Sequence, residues 1–275
     1  VGGEGIEREK QLIEIGKKYK MNILGPNCMG IFNTNKEYSF NGTFSPTLPK
    51  PGNVAFISQS GALGVGVLEL NAQSGLGFSI FVSTGNKADI SDNDVLDFLA
   101  EDKKSKVVTI YLESIDQPQG FMQISKHIAK TKPVLAVKAG RTESGHKAAS
   151  SHTGALANPE HIIDGFLKQS GVIRVDNLED MFNAARALSL QPLPKGKRTA
   201  IITNAGGPGI LASDALERNG LELASFEDKT VEALKSILPA EAATGNPVDM
   251  IASANEETYK NALEIILKVL KVSKS

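Results

Sequence analysis

A chain of 275 residues, 41% hydrophobic and 22% charged, is long enough for one large or two ordinary globular domains and has neither a disordered nor a fibrous composition. With 30 basic and 31 acidic residues its formal charge is -1, so no global field draws nucleic acid or an anionic membrane, and any bound anion must be held locally. A single cysteine, Cys28, excludes an internal disulfide framework and fits a reducing, cytoplasmic compartment; the sequence shows no secretory leader and no apolar run of membrane-spanning length.

The chain opens on VGGEG, without methionine, directly into a helical pattern, as a processed chain or a fragment of something longer would. Periodicity predicts helices over 6–19, 62–73, 92–100, 120–131, 160–170 and 178–190. They alternate with strands over 22–24, 54–58, 78–83, 107–113, 133–139 and 172–175. The strands are mostly continuous apolar runs such as VAFIS and VVTIYLE, the signature of a parallel sheet covered on both faces. QPLPKGKR at 191–198 reads as a linker. Alternation then restarts: a strand at 199–204, a helix from about 208, a strand at 221–226, a helix around 230–238, a strand at 246–250 and a final helix. The expectation is an α/β protein of two doubly wound parallel-sheet domains, 1–190 and 199–275, the second incomplete.

AFISQSGALG at 55–64 aligns without gaps to AIITNAGGPG at 200–209, each a strand, a small-residue turn and a helix opening. In the first copy, SQSG entering a helix offers free backbone N–H groups with the helix dipole behind them, placing an anion at Ser60 and Gly61. The alternative is a serine cap on a structural helix. Near-misses exclude other chemistry. GRTESGHK at 140–147 has P-loop spacing but His146 where lysine belongs; no G-x-S-x-G elbow or H-E-x-x-H helix occurs, and four dispersed histidines with one cysteine make no zinc site.

His127 and His161 sit in predicted helices and read as surface residues. His152, in KAASSHTGALA at 147–157, has only small and hydroxylated neighbours, which suits a histidine that a large ligand must approach closely. A nucleophilic histidine must be neutral, with the N–H of its second nitrogen held by an acceptor. Glu113, ending the strand VVTIYLE, is the candidate. LGPNCMG at 24–30 forms a tight turn that holds Asn27 and Cys28 beside the sheet edge.

Together LGPNCMG, GNVAFISQSGALG, STGNKADI, YLESI, KPVLAVKAGRTESGHKAASSHTGALA, TAIITNAGGPG and NPVDM resemble the nucleoside-diphosphate-forming acyl-CoA synthetases. That family includes the α subunit of succinyl-CoA synthetase, and SSHTGALA is closer to the ADP-forming acyl-CoA branch. The resemblance implies two flavodoxin-like domains and an acid–thiol ligase that interconverts acyl-CoA, phosphate and ADP with a carboxylic acid, CoA and ATP, through an acyl phosphate and a phosphohistidine. It implies that His152 is phosphorylated and Glu113 orients it, and that Ser60, Gly61 and Ser151 bind the phosphoryl group. It implies as well that Asn27, Cys28, Gly85 and Asn86 lie near CoA and the acyl group and that no metal is held by this chain.

The family's CoA-binding domain would end where this chain starts. ADP or ATP with Mg²⁺ would bind on an ATP-grasp β subunit or domain outside it, within an oligomer, leaving this chain inactive alone. A non-catalytic acyl-CoA-binding regulatory module and part of a protein acetyltransferase fusion are the alternatives; the presence of both His152 and Glu113 argues against the first, and the retention of His152 against the second.

Overall fold

A computed structural model describes residues 3–46, 48–142, 144–145 and 160–272. The chain divides into two units, Val1–Pro192 and Leu193–Ser275. The first contains, in order, α1 (Glu4–Tyr19), β1 (Gly30–Asn33), β2 (Phe40–Thr43), β3 (Pro51–Ser58), α2 (Gly61–Ser74), β4 (Phe78–Ser83), α3 (Asp92–Glu101), β5 (Val107–Leu112), α4 (Pro118–Ile128), β6 (Val134–Lys138), α5 (Glu160–Gln169), β7 (Val172–Arg174) and α6 (Leu178–Leu190). Seven strands form one sheet in the order β2-β1-β4-β3-β5-β6-β7.

Among β3 to β7 every strand pairing is parallel. The apolar runs are buried because helices cover both faces: Val54 to Ile57 of β3 and Val134 to Ala136 of β6 are fully buried. On one face Leu96 and Leu99 of α3, Phe121 and Ile128 of α4 and Leu167 of α5 form the core. On the other, Phe182 of α6 meets Phe56 edge-on at 5.3 Å, beside Val67 and Leu68 of α2.

The strand expected at 22–24 does not form. Its polar backbone is satisfied instead by the loop 88–90: Ile90 N–H donates to the Ile23 carbonyl, and Ile23 N–H to the Asp89 carboxylate at 2.8 Å. Two unexpected strands take the sheet edge. β1 and β2 make an antiparallel hairpin, and β1 also runs antiparallel to β4, so the sheet is mostly parallel with an antiparallel margin. Each is four residues long, and FNGT carries too little apolar character to read as a strand.

Within the parallel part, the chain steps from β3 to β4 on one side and then crosses to β5 on the other. The carboxyl ends of β3 and β5 therefore flank a topological switch point, where open α/β sheets bind ligands.

The second unit contains β8 (Arg198–Thr199), β9 (Ile202–Thr203), α7 (Gly206–Arg218), β10 (Glu222–Leu223), α8 (Asp228–Ile237), β11 (Val248–Asp249) and α9 (Glu256–Val272). β8 pairs in parallel with β10, and β9 with β11. The expected strand 199–204 is interrupted because the Asn246 side chain takes over there, accepting Ile201 N–H and donating to the carbonyls of Thr199 and Ala224. Leu234, Leu238, Val248, Met250, Ala262 and Ile266 form the core. Both copies of the repeat thus have the same local topology: the strand lies between the next two in sequence, and its turn opens a helix.

Candidate functional site at the switch point

β3 ends at Ser58, and the chain turns through Gln59 and Ser60 into α2. Ser60 caps this helix, its Oγ accepting Leu63 N–H at 3.4 Å, while Gly64 N–H donates to the Ser60 carbonyl. Ser58 Oγ braces the turn, donating to the Ser60 carbonyl at 2.7 Å and accepting Ser60 N–H. The serine-cap reading is thus what the structure shows, and the N–H groups of Gly61 and Ala62 have no acceptor among the described residues, as at the start of any α-helix. A Cβ on Gly61 would come within 3.2 Å of Met29 Cβ and Met29 N.

One strand over, Glu113 follows β5 and is half-buried. The backbone N–H groups of Glu113 and Ser114 donate to Gln59 Oε1 at 2.7 and 2.9 Å, joining the two turns. The Glu113 carboxylate makes no hydrogen bond among the described residues. Its charge is felt nonetheless: Tyr111 has its phenol pushed up by burial and then by Glu113. Burial lowers Lys138 at the end of β6, with Glu160 and more weakly Glu113 opposing that and Arg174 assisting it.

Behind these turns lies a polar cluster that no sequence motif announced. Gln59 Nε2 donates to Asp92 Oδ2 at 2.6 Å and to the Ser114 carbonyl at 2.9 Å. Thr84 Oγ1 donates to Asp92 Oδ1 at 2.9 Å. The Lys87 ammonium lies 3.5 Å from Asp92, 2.5 Å from Asp116 and 2.8 Å from Ser114 Oγ, with its side chain only 8% exposed. Asp92 is held above the ordinary carboxylate range because burial outweighs the pull of Lys87 and the hydrogen bonds from Thr84 and Gln59.

In front of β4 and β3 runs the segment 24–30. Asn86 N–H donates to the Pro26 carbonyl, Ala88 N–H to the Gly25 carbonyl, and Met29 N–H to Ser83 Oγ. Asn27 Nδ2 donates to Asn86 Oδ1 at 3.3 Å, and Asn86 Nδ2 to Glu9 of α1. Cys28 is half-buried, its thiol 3.5 Å from the Leu24 carbonyl. Gly85, at φ +56°, is required here: a Cβ would stand 2.4 Å from the Pro26 carbonyl oxygen and 2.6 Å from that of Asn27.

Asn27, Cys28, Gly85 and Asn86 thus form one wall beside Ser60 and Gly61, with Glu113 on the next strand. His152 and Ser151 lie outside the described residues. Gln59, Lys87, Asp92 and Lys138 were missed, although Gln59 stands inside the SQSG motif and Lys87 inside STGNKADI; a polar residue within a strand-end turn was the available signal. Among the described residues no group of three or more His, Cys, Asp or Glu converges to hold a metal ion. A cleft of about 480 Å³ between Gly52, Gly77, Lys104, Lys106 and Arg186 lies at the opposite end of the strands, away from these groups.

Residues 51–188 match the family model of the succinyl-CoA ligase like flavodoxin domain, and 199–273 match the ligase-CoA domain. The chain is 49% identical over 267 residues to the subunit alpha of ADP-forming acetate–CoA ligase II of Pyrococcus furiosus, covering 97% of this chain and 58% of that one. It is 42% identical over 274 residues to the ADP-forming 4-hydroxybutyrate–CoA ligase of Nitrosopumilus maritimus, covering 99% of this chain and 39% of that protein. Among solved structures it is similar to the dinucleotide-forming acetyl-coenzyme A synthetase 1 of Ca. Korarchaeum cryptofilum in complex with phosphate and ADP, with a TM-score of 0.90 and 37% identity. That match covers 98% of this chain and 58% of the other. The chain thus spans between 39% and 58% of the length of these relatives.

Proposed function

Because the chain belongs to the succinyl-CoA ligase-like family, with that family's flavodoxin domain over 51–188, we propose that it is the α-type part of an ADP-forming acyl-CoA ligase and carries the phosphoryl relay. Phosphate attacks the acyl carbon of an acyl-CoA, giving an acyl phosphate and releasing the CoA thiol. A ring nitrogen of His152 then attacks phosphorus, the P–O bond to the acyl group breaks, and the carboxylic acid leaves. ADP takes the phosphoryl group from His152, giving ATP and restoring the imidazole.

Glu113 accepts the N–H of the other ring nitrogen, which fixes the tautomer and stabilises the positive ring formed during transfer. The Gly61 and Ala62 N–H groups, together with Ser151, receive the phosphoryl oxygens. Asn27, Cys28, Gly85 and Asn86 face CoA and the acyl group. Nucleotide and Mg²⁺ bind on an ATP-grasp subunit or domain in a cytoplasmic oligomer, and the chain alone completes no turnover.

The observation that carries this reading is the pairing of two unused helix-start N–H groups with a carboxylate free of hydrogen bonds among the described residues, on neighbouring strands at the switch point. Incubation with an ATP-grasp subunit, γ-labelled ATP and Mg²⁺ should give an acid-labile, base-stable label that is lost in His152→Ala. Glu113→Gln should slow labelling roughly 10- to 100-fold, as for other carboxylates that orient an imidazole, and leave the fold intact. Label surviving His152→Ala would remove that assignment. Absence of label from the wild-type protein would leave only a non-catalytic acyl-CoA-binding module.

A further inference from the structure

The backbone ladder between β3 and β5 ends where Gln59 N–H reaches the Tyr111 carbonyl at 3.3 Å. Beyond that point the two turns would be free to move apart, because the chain leaves the two strands in different directions. Among the described residues a single side chain, that of Gln59, crosses the gap. The Gln59 amide accepts the N–H groups of Glu113 and Ser114 and donates to Asp92 and the Ser114 carbonyl, so all four of its hydrogen-bonding positions are filled. The N–H groups of Glu113 and Ser114 can only donate and the Ser114 carbonyl can only accept, so the amide has a single possible orientation. Asp92, beneath it and 6% exposed, is fixed in turn by Thr84 and Lys87.

We infer that Gln59 is a positioning residue of the phosphoryl relay: its amide clips the turn carrying Glu113 to the turn carrying Ser60 and Gly61, setting the separation of carboxylate and helix start between which the phosphorylated ring must fit. This rests on the function proposed above. A merely structural polar cluster is a poor use of a buried carboxylate, since apolar packing of the same volume is commonly as stable or more so. A fixed separation between two groups that act together is what such a cluster supplies.

The test uses the chain with its ATP-grasp subunit, labelled ATP and Mg²⁺. Gln59→Met keeps the packing and removes all four bonds; Gln59→Glu keeps the shape but turns an oxygen towards Asp92. Both should lower the labelling rate constant about tenfold or more at saturating ATP, with the KM for ATP within about twofold of wild type and with faster amide exchange at Glu113 and Ser114. In a Glu113→Gln background, Gln59→Met should add less than about twofold, because the two act as a unit. A folded Gln59→Met protein labelled at the wild-type rate, or effects that simply multiply, would overturn the assignment while leaving the relay standing. Failure of the wild-type protein to take label would overturn the relay itself and, with it, the purpose given to Gln59.

Discussion

Asp92 Oδ2 accepts the Gln59 amide at 2.6 Å while the carboxyl group is held above its usual ionisation range, so the charge that organises the site is there at a cost to the fold. The folded state binds this proton more tightly than the unfolded state, so the contribution of Asp92 to stability falls as pH rises from its unfolded value near 3.8 through the higher folded one. Asp92→Asn can keep the bonds to Gln59 and Thr84, and Lys87 retains Asp116 and Ser114. The melting temperature of this variant relative to wild type should therefore rise with pH across that window and be equal or higher at pH 7. Thermal scans between pH 4 and 8 measure it, and a difference that does not change with pH would show that burial does not perturb Asp92.

Gly85 and Gly66 make a matched pair. Gly85→Ala forces a side chain into the backbone of residues 26 and 27 at a left-handed φ, whereas a Cβ on Gly66, within α2, meets nothing within 4 Å. Gly85→Ala should cost about 1–3 kcal/mol, because the segment 24–30 loses its seat. Gly66→Ala should be neutral or stabilising by about 0.4–1 kcal/mol. Denaturant titration of both variants checks the contrast, and equal effects would contradict it.

Lys132 closes the end of α3. Its ammonium donates to the carbonyls of Leu99 and Asp102 at 2.7 Å each, and the residue is 8% exposed. Lys132→Met should destabilise by about 1–3 kcal/mol, lowering the melting temperature by roughly 3–10 °C. Lys130→Met, at an exposed neighbour, should change stability by less than about 0.5 kcal/mol. Loss of stability at both positions alike would assign the effect to charge rather than to the cap.

The parallel strands were legible because burial on both faces leaves few polar positions and only small ones: VAFIS, FSIFVS and VVTIYLE declare themselves as mainly apolar runs. NIL carried the same signal over three residues and failed, since a run that short is satisfied equally well by a loop, here 88–90. The hairpin of β1 and β2 was invisible for the opposite reason. Its residues are partly exposed, and their pairing with each other and with β4 supplies the stability that their composition does not.

The candidate site divides in the same way. Ser60, Gly61, Glu113 and Asn27 could be picked out because such turns announce themselves through glycine, serine and an abrupt charge after an apolar run, whereas Gly85 came only with the family resemblance. That much follows from local chemistry, which a sequence carries whole. The bridge from Gln59 to Glu113 and the closeness of Gly85 to Asn27 join residues 54 and 58 positions apart. The first follows from β3 lying beside β5, the second from β1 lying beside β4. The sequence determined which segments become strands and which turns carry polar groups; strand order decided which of those groups meet, because side-chain hydrogen bonds act over about 3 Å and only the assembled sheet brings the turns that close.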